Sequence, residues 1–307
     1  MGSNVITKDN TNIMKGIGAI LILLHHIVQY IPLVSKYYTV TFGYSFVGIF
    51  FLISGYGITK SNRGLFSRIL KLYSYFLIAL FLYLIIFNIF DIEITINNVL
   101  KSLIGLFEIV NFSWYIFEII ILNIMYFINE KLFKGNYLSF IIMVITMFMI
   151  LFIKEVDAWL YMSLFMFPIG VLLGKKERLN INKINNTIVF ILFIIINILL
   201  VLFVNKTTVD FKILNMFLFL LHIVLFNYLF LVICKRINIK NKYVKDIFNL
   251  SSFIYLSQGI VIRLFIMYEY NNNVLIYISG SIIFTLILAI VLKYLYNLTL
   301  KKLLTKC

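Results

Sequence analysis

The sequence predicts an all-α protein, a polytopic bundle of about ten transmembrane helices with both termini in the cytoplasm. Three observations predict it. Hydrophobic residues make up 63% of the chain and charged residues only 13%, where an ordinary soluble domain carries about 25% charged residues. Apolar runs of about 20 residues, the length that crosses a bilayer, recur almost to the end of the chain. The basic residues also segregate by loop, as cytoplasmic loops require. With a mean hydropathy of +1.03, residues 1–307 read as one membrane domain without a separate soluble domain.

Taken in order, the predicted spans are 13–35, 42–60, 66–90, 112–128, 137–154, 157–174, 186–205, 211–233, 246–268 and 274–298. Alternating these across the bilayer puts 21 of the 27 basic residues on one side, all but Lys36, Lys101, Lys154, Lys206, Lys212 and Arg263. That side is the cytoplasm. A net charge of +15 would suggest nucleic acid as the partner of a soluble protein. Here topology and contact with anionic lipid account for it, and no nucleic-acid partner is expected. The 91–111 stretch, too polar at its start to cross, reads as a re-entrant or interfacial helix over an external opening. Cys234 and Cys307 form no metal-ligand or disulfide framework, so no metal is expected. No phosphate-binding or dinucleotide fingerprint is present either. Any chemistry belongs to the bundle.

The polar residues inside the spans are therefore the informative ones, because an ionisable group at membrane depth is costly. Span one, IMKGIGAILILLHHIVQYIPLV, carries Lys15, His25 and His26. Eleven positions are about three turns, so Lys15 and His26 share a helix face about 16 Å apart along the axis. His25 lies about 100° away around the helix, which leaves His26 as the member aligned with the cation and near mid-membrane. Span two, FGYSFVGIFFLISGYGITK, has Gly43, Gly48, Gly55 and Gly57, which let helices approach closely, and Ser54, a cavity-lining hydroxyl. Arg68 and Lys71, at i and i+3, either snorkel to the surface or clamp a phosphate together with Lys15. Span four places Trp114 and Tyr115 at the outer interface and Glu118 one turn deeper, where a bundle histidine is a plausible partner. His222 in span eight reads as a packing histidine. Span nine carries Ser257, Gln258 and Arg263, the last either snorkelling outward or meeting an anion.

These segments together resemble the acyltransferase-3 family of membrane acyltransferases. The family's basic residue, ten residues, then histidine in helix one is matched by Lys15 and His26. GIFFLISGYGI, with Phe50, Phe51, Ser54 and Gly55, looks like its Gly-x-x-x-Phe-Phe-x-x-Ser-Gly segment, and Arg68 and Lys71 match its R-x-x-R. The Trp114-Tyr115 pair, FPIGVLLGKK at 167–176 and SSFIYLSQ at 251–258 are also similar; many members have histidine where Gln258 stands. The resemblance implies an O-acyltransferase, most simply an O-acetyltransferase, in the bacterial plasma membrane. Its donor would be a cytoplasmic acyl-CoA such as acetyl-CoA, held at Lys15, Arg68, Lys71 and Ser54. Its acceptor would be a hydroxyl of a surface polysaccharide or lipid-linked glycan, set against His25, Trp114, Tyr115, Gln258 and Arg263. His26, with Glu118, would be catalytic, acting as general base or as acyl carrier. A buried His and Glu also suit a proton-coupled transporter or glycan flippase, although the two halves lack the matched interrupted helices of an inverted-repeat transporter.

Overall fold

The computed structural model describes residues 6–31, 36–61, 64–176, 185–203 and 209–299, without the side chains of 36–40 and 209–212. Pro32, Arg63, Arg178, Lys183, Lys206, the C-terminal lysines and Cys307 lie outside the described residues, as do the side chains of Lys36 and Lys212. Among the described residues there are twelve α-helices and no strand. They are α1 (Lys8–Val28), α2 (Lys36–Lys60), α3 (Leu65–Ile89), α4 (Ile96–Leu103), α5 (Trp114–Leu132), α6 (Tyr137–Ile153), α7 (Met166–Lys175), α8 (Asn186–Phe203), α9 (Val209–Arg236), α10 (Lys242–Phe248), α11 (Ser251–Met267) and α12 (Val274–Leu298).

Six of these helices are long and apolar enough to cross a membrane, and the α10–α11 pair, bent by 63°, makes a seventh if it is one span. The predicted ten-fold pattern departs from this where polar residues and proline intervene. Span four is the 19-residue α5 and span five the 17-residue α6. Span six is not a continuous helix. A single 3-10 turn at Ala158–Leu160 precedes the ten-residue α7, which starts at Met166. Pro168 accounts for the break, because it has no N–H for the Leu164 carbonyl and its ring clashes there, so it is tolerated only in a first turn.

α1 also starts and stops earlier than the apolar pattern indicates. Thr7 and Asn10 form a reciprocal capping box that begins the helix at Lys8, satisfying orphan N–H groups at its start. The helix stops at Val28, and Ile31, which precedes a proline, is disfavoured in the α region. The consequence for the histidines is taken up below. α1 is the central element, packing against α2, α9, α10, α11 and α12. Its N-terminal end is tied down by Asn10 Nδ2, which donates to the Cys234 carbonyl at 3.3 Å.

α2 and α7 form the tightest pair. A Cβ at Gly55 would strike the Phe167 carbonyl, and one at Gly170 would strike the Leu52 carbonyl. Backbone therefore lies on backbone, the arrangement small residues permit between membrane helices. α8 buries only Val189, Ile196 and Leu200 and packs on α9. Its exposed isoleucines face outward, as lipid-facing side chains do.

On the side of the bundle where α1 begins, Lys175 Nζ lies 2.7 Å from Glu130 Oε1 and donates to the Gly135 carbonyl at 2.9 Å. This joins the ends of α5 and α7. Glu130 sits past the apolar part of α5; desolvation would raise its pKa, but bonds from Lys175 and Tyr126 outweigh that and hold it below the ordinary carboxylate value. A depressed carboxylate contributes stability above its unfolded pKa of about 4.3 and loses it as pH falls through the folded value. Both partners are largely exposed, so the pair contributes at most about 1 kcal/mol. Glu130→Gln is expected to lower the melting temperature of the solubilised protein by no more than about 4 °C at pH 7. Melting curves at falling pH should show that difference closing below about pH 4.

Candidate active site

Because α1 ends at Val28, His25 and His26 occupy its last turn and not the interior of a longer helix, as the apolar pattern suggests. Both line a cavity of about 340 Å³ with Gln29, Gly43 and Tyr44, Glu108 and Phe112, and Trp114 and Trp159. The two imidazole centroids are 5.2 Å apart. Gln29 Nε2 donates to His25 Nε2 at 3.0 Å. A side chain at Gly43 would fall on the His25 ring, so this glycine supplies the room His25 takes.

His26 is 8% exposed and its Nδ1 has no hydrogen-bond partner. Its ring is stacked on Phe112 with centroids 3.7 Å apart and planes 9° from parallel. Phe112 holds a left-handed backbone, φ 67°, which a bulky residue adopts only when its surroundings impose it. Those surroundings are visible. Tyr255 donates its hydroxyl to the Phe112 carbonyl at 2.7 Å, and the Glu108 carboxylate faces the N–H groups of Phe112 and Trp114. Burial raises the Glu108 pKa above the ordinary carboxylate value, and those two N–H groups pull it the other way.

The other neighbour of His26 is Gln258, close enough to act on the imidazole, although neither of its amide atoms meets hydrogen-bond geometry with any partner. The position where many family members carry histidine is thus against His26. Tyr83 braces the helix there: its hydroxyl accepts from the Ile260 N–H at 2.9 Å and donates to the Leu256 carbonyl at 3.0 Å, on either side of Gln258.

The cations gather nearer the other end of α1. Lys15 and Lys71 are close enough for like-charge repulsion. Lys71 Nζ stands 5.8 Å from the Tyr75 ring centroid, and Arg68 Nη2 donates to the Gly57 carbonyl at 2.8 Å. Ser54 lies close to the Tyr115 hydroxyl. Tyr115 is buried and packs edge-on against Phe51 and Tyr255 at 5.3 and 5.2 Å, inside the bundle and not in an interfacial belt.

Glu118 does not line the cavity. It lies four residues past Trp114, about 6 Å deeper along α5, with Oε2 buried and without a hydrogen-bond partner. Among the described residues none of the three histidines pairs with it; burial is what acts on its carboxyl group. Arg263 is exposed, with its guanidinium 4.8 Å from the Phe87 ring centroid, on α11 away from the histidines. His222 is a packing histidine: Nδ1 lies 3.0 Å from Ser45 Oγ and the ring sits among Phe42, Phe193 and Phe226.

Sequence reasoning missed Glu108, Phe112, Trp159 and Tyr83. Glu108 left one signal, a lone acid in the otherwise apolar GLFEIVNF segment.

Several helices long and apolar enough to cross a membrane define a multi-pass membrane protein, whose cavity presents two imidazoles and a carboxyl group. Among the described residues no cluster of three or more His, Cys, Asp or Glu could hold a metal ion. Residues 9–294 match the family model of the acyltransferase-3 acyltransferase domain, and the chain belongs to that family of membrane acyltransferases. No curated protein and no solved structure gives a significant match.

Proposed function

We propose that the protein is an O-acyltransferase of the bacterial plasma membrane, with both termini cytoplasmic and ten helical segments in the membrane. It moves an acyl group, acetyl in the simplest case, from cytoplasmic acyl-CoA to a sugar hydroxyl of a surface polysaccharide or lipid-linked glycan. One observation carries this reading: α1 presents Lys15, beside Lys71, toward one end and His26, in the cavity, at the other. Phosphates of the donor suit the first group, since ammonium and guanidinium are what such anions require. An acceptor hydroxyl suits the second.

In the reaction the thioester C–S bond breaks, an ester C–O bond forms, and the hydroxyl proton ends on the CoA thiolate. With the thioester arm of the donor reaching along α1 to it, His26 either takes that proton first, as general base, or accepts the acyl group on its imidazole and passes it to the hydroxyl. Trapping of an acylated protein in the absence of acceptor distinguishes the two.

The test is acyl transfer by the purified protein from labelled acetyl-CoA to glycan acceptor, read as alkali-labile label. Lys15→Ala and Lys71→Ala are expected to raise the KM for acyl-CoA about tenfold each, the loss of one charge-assisted contact of about 1.4 kcal/mol, with kcat little changed. Initial rates over a donor series check this. Failure to bind coenzyme A, together with pH-gradient-driven glycan movement, would favour a transporter.

A further inference from the structure

We infer that the cavity at the C-terminal end of α1 is a subsite for one uncharged sugar ring, stacked on Trp114 and Trp159 and hydrogen-bonded by Glu108, His25 and Gln29, and that it rejects anionic sugars. The inference deepens the acyl-transfer reading and rests on it for the identity of the acceptor, but the binding it describes is measurable without catalysis.

Shape and surface come first. The Trp114 and Trp159 rings meet with centroids 5.0 Å apart and planes at 57°, a concave aromatic corner rather than a flat stack. The apolar C–H face of a pyranose packs on an indole face, and the rim of hydroxyls around the ring then needs polar partners. The cavity provides them from two segments: the His25 ring and Gln29 amide at the end of α1, and Glu108, whose Oε1 is buried and unpartnered. A buried polar atom without a partner is costly, and a sugar hydroxyl satisfies it. At about 340 Å³ the cavity is near the lower end of small-molecule sites, about 300–1,000 Å³, with room for one ring.

Charge decides the class of sugar. Among the described residues no lysine or arginine lines the cavity. Lys15, near Lys71, lies about 16 Å from His26 along α1. A uronate carboxylate or a phosphate placed among the tryptophans would lose its hydration without gaining a counter-charge, a large penalty. Beside an ionised Glu108 it would also meet like-charge repulsion. The same argument keeps the donor's phosphates out of this end, so charge as well as distance separates the two substrates.

The chain contains only two tryptophans, and both line this cavity. Intrinsic tryptophan fluorescence of the unaltered protein, in nanodiscs free of glycolipid and without acyl-CoA, therefore reports on this site alone. Titration with methyl glucoside and methyl N-acetylglucosaminide is expected to give saturable changes. Methyl glucuronide should bind at least about tenfold more weakly, and Glu108→Gln should narrow that ratio to within about threefold. Equal or reversed affinity for the glucuronide, or no fluorescence response to any sugar, overturns the inference; an unchanged ratio in Glu108→Gln overturns the part given to Glu108. Saturable neutral-sugar binding by a protein that transfers no acyl group would sustain the subsite and sink the acyltransferase reading instead.

Discussion

Replacing His26 with alanine is expected to lower the rate of acyl transfer by about 10²- to 10⁴-fold, the usual contribution of a positioned general acid–base group. The expectation rests on geometry: His26 is the imidazole that is stacked on Phe112, faces Gln258 and lines the cavity. Loss of the ring removes one stacked contact, worth about 0.5–1.5 kcal/mol beyond buried area, and the Lys175–Glu130 ion pair does not involve it. Abundance and melting temperature should change little by comparison. His26→Gln keeps a polar group of similar reach but cannot titrate, and it should be as inactive as the alanine variant. His25→Ala should be milder, because His25 already engages Gln29. Initial rates with the three variants, normalised to folded protein by size-exclusion chromatography, check the assignment. A His26→Ala protein that transfers at the normal rate would remove His26 from the chemistry.

The K-x10-H spacing made His26 legible because one helix carries both ends of the argument. The bounds of α1 were not legible, because the capping box at Thr7 and Asn10 draws polar residues into the helix that an apolar pattern assigns to a loop. The same limit hid the break before α7, where every residue from Tyr161 to Met166 except Ser163 is apolar yet Pro168 sets where the helix starts. Glu108 and Trp159 belong to segments outside the long helices, so no periodicity places them. The place of Glu108 in the cavity depends on the turn that the left-handed Phe112 makes and on the bond that holds it. Glu118, by contrast, was visible as a membrane-depth acid, but helix rise alone carries it below the cavity. Gln258 departs from the family residue while keeping its place against His26, a coincidence of position that a single sequence does not reveal.

Gly170→Leu is expected to abolish accumulation of folded protein, and Gly170→Ala to cost about 1–3 kcal/mol, the usual penalty for forcing atoms into a filled interior. A Cβ at Gly170 would fall on the Leu52 carbonyl and lie 2.8 Å from the Tyr56 nitrogen. Neither is a flexible chain end that can swing aside, since both belong to the backbone of α2. The Gly55 position repeats the conflict from the other helix, against the Phe167 carbonyl and the Val171 nitrogen. To accept one methyl group the helices must separate, and that would disturb the cavity as well. α2 brings Gly43 and Tyr44 to the cavity, and Ser163, in the segment between Trp159 and α7, donates to the Tyr44 carbonyl at 2.7 Å. Gly57 is the internal control. Nothing lies within 4 Å of a Cβ built there, so Gly57→Ala should be neutral or stabilising by up to about 1 kcal/mol through helix propensity. Thermal unfolding of the solubilised variants separates the two positions. Equal melting of Gly170→Ala and Gly57→Ala would mean that α2 and α7 do not meet backbone to backbone.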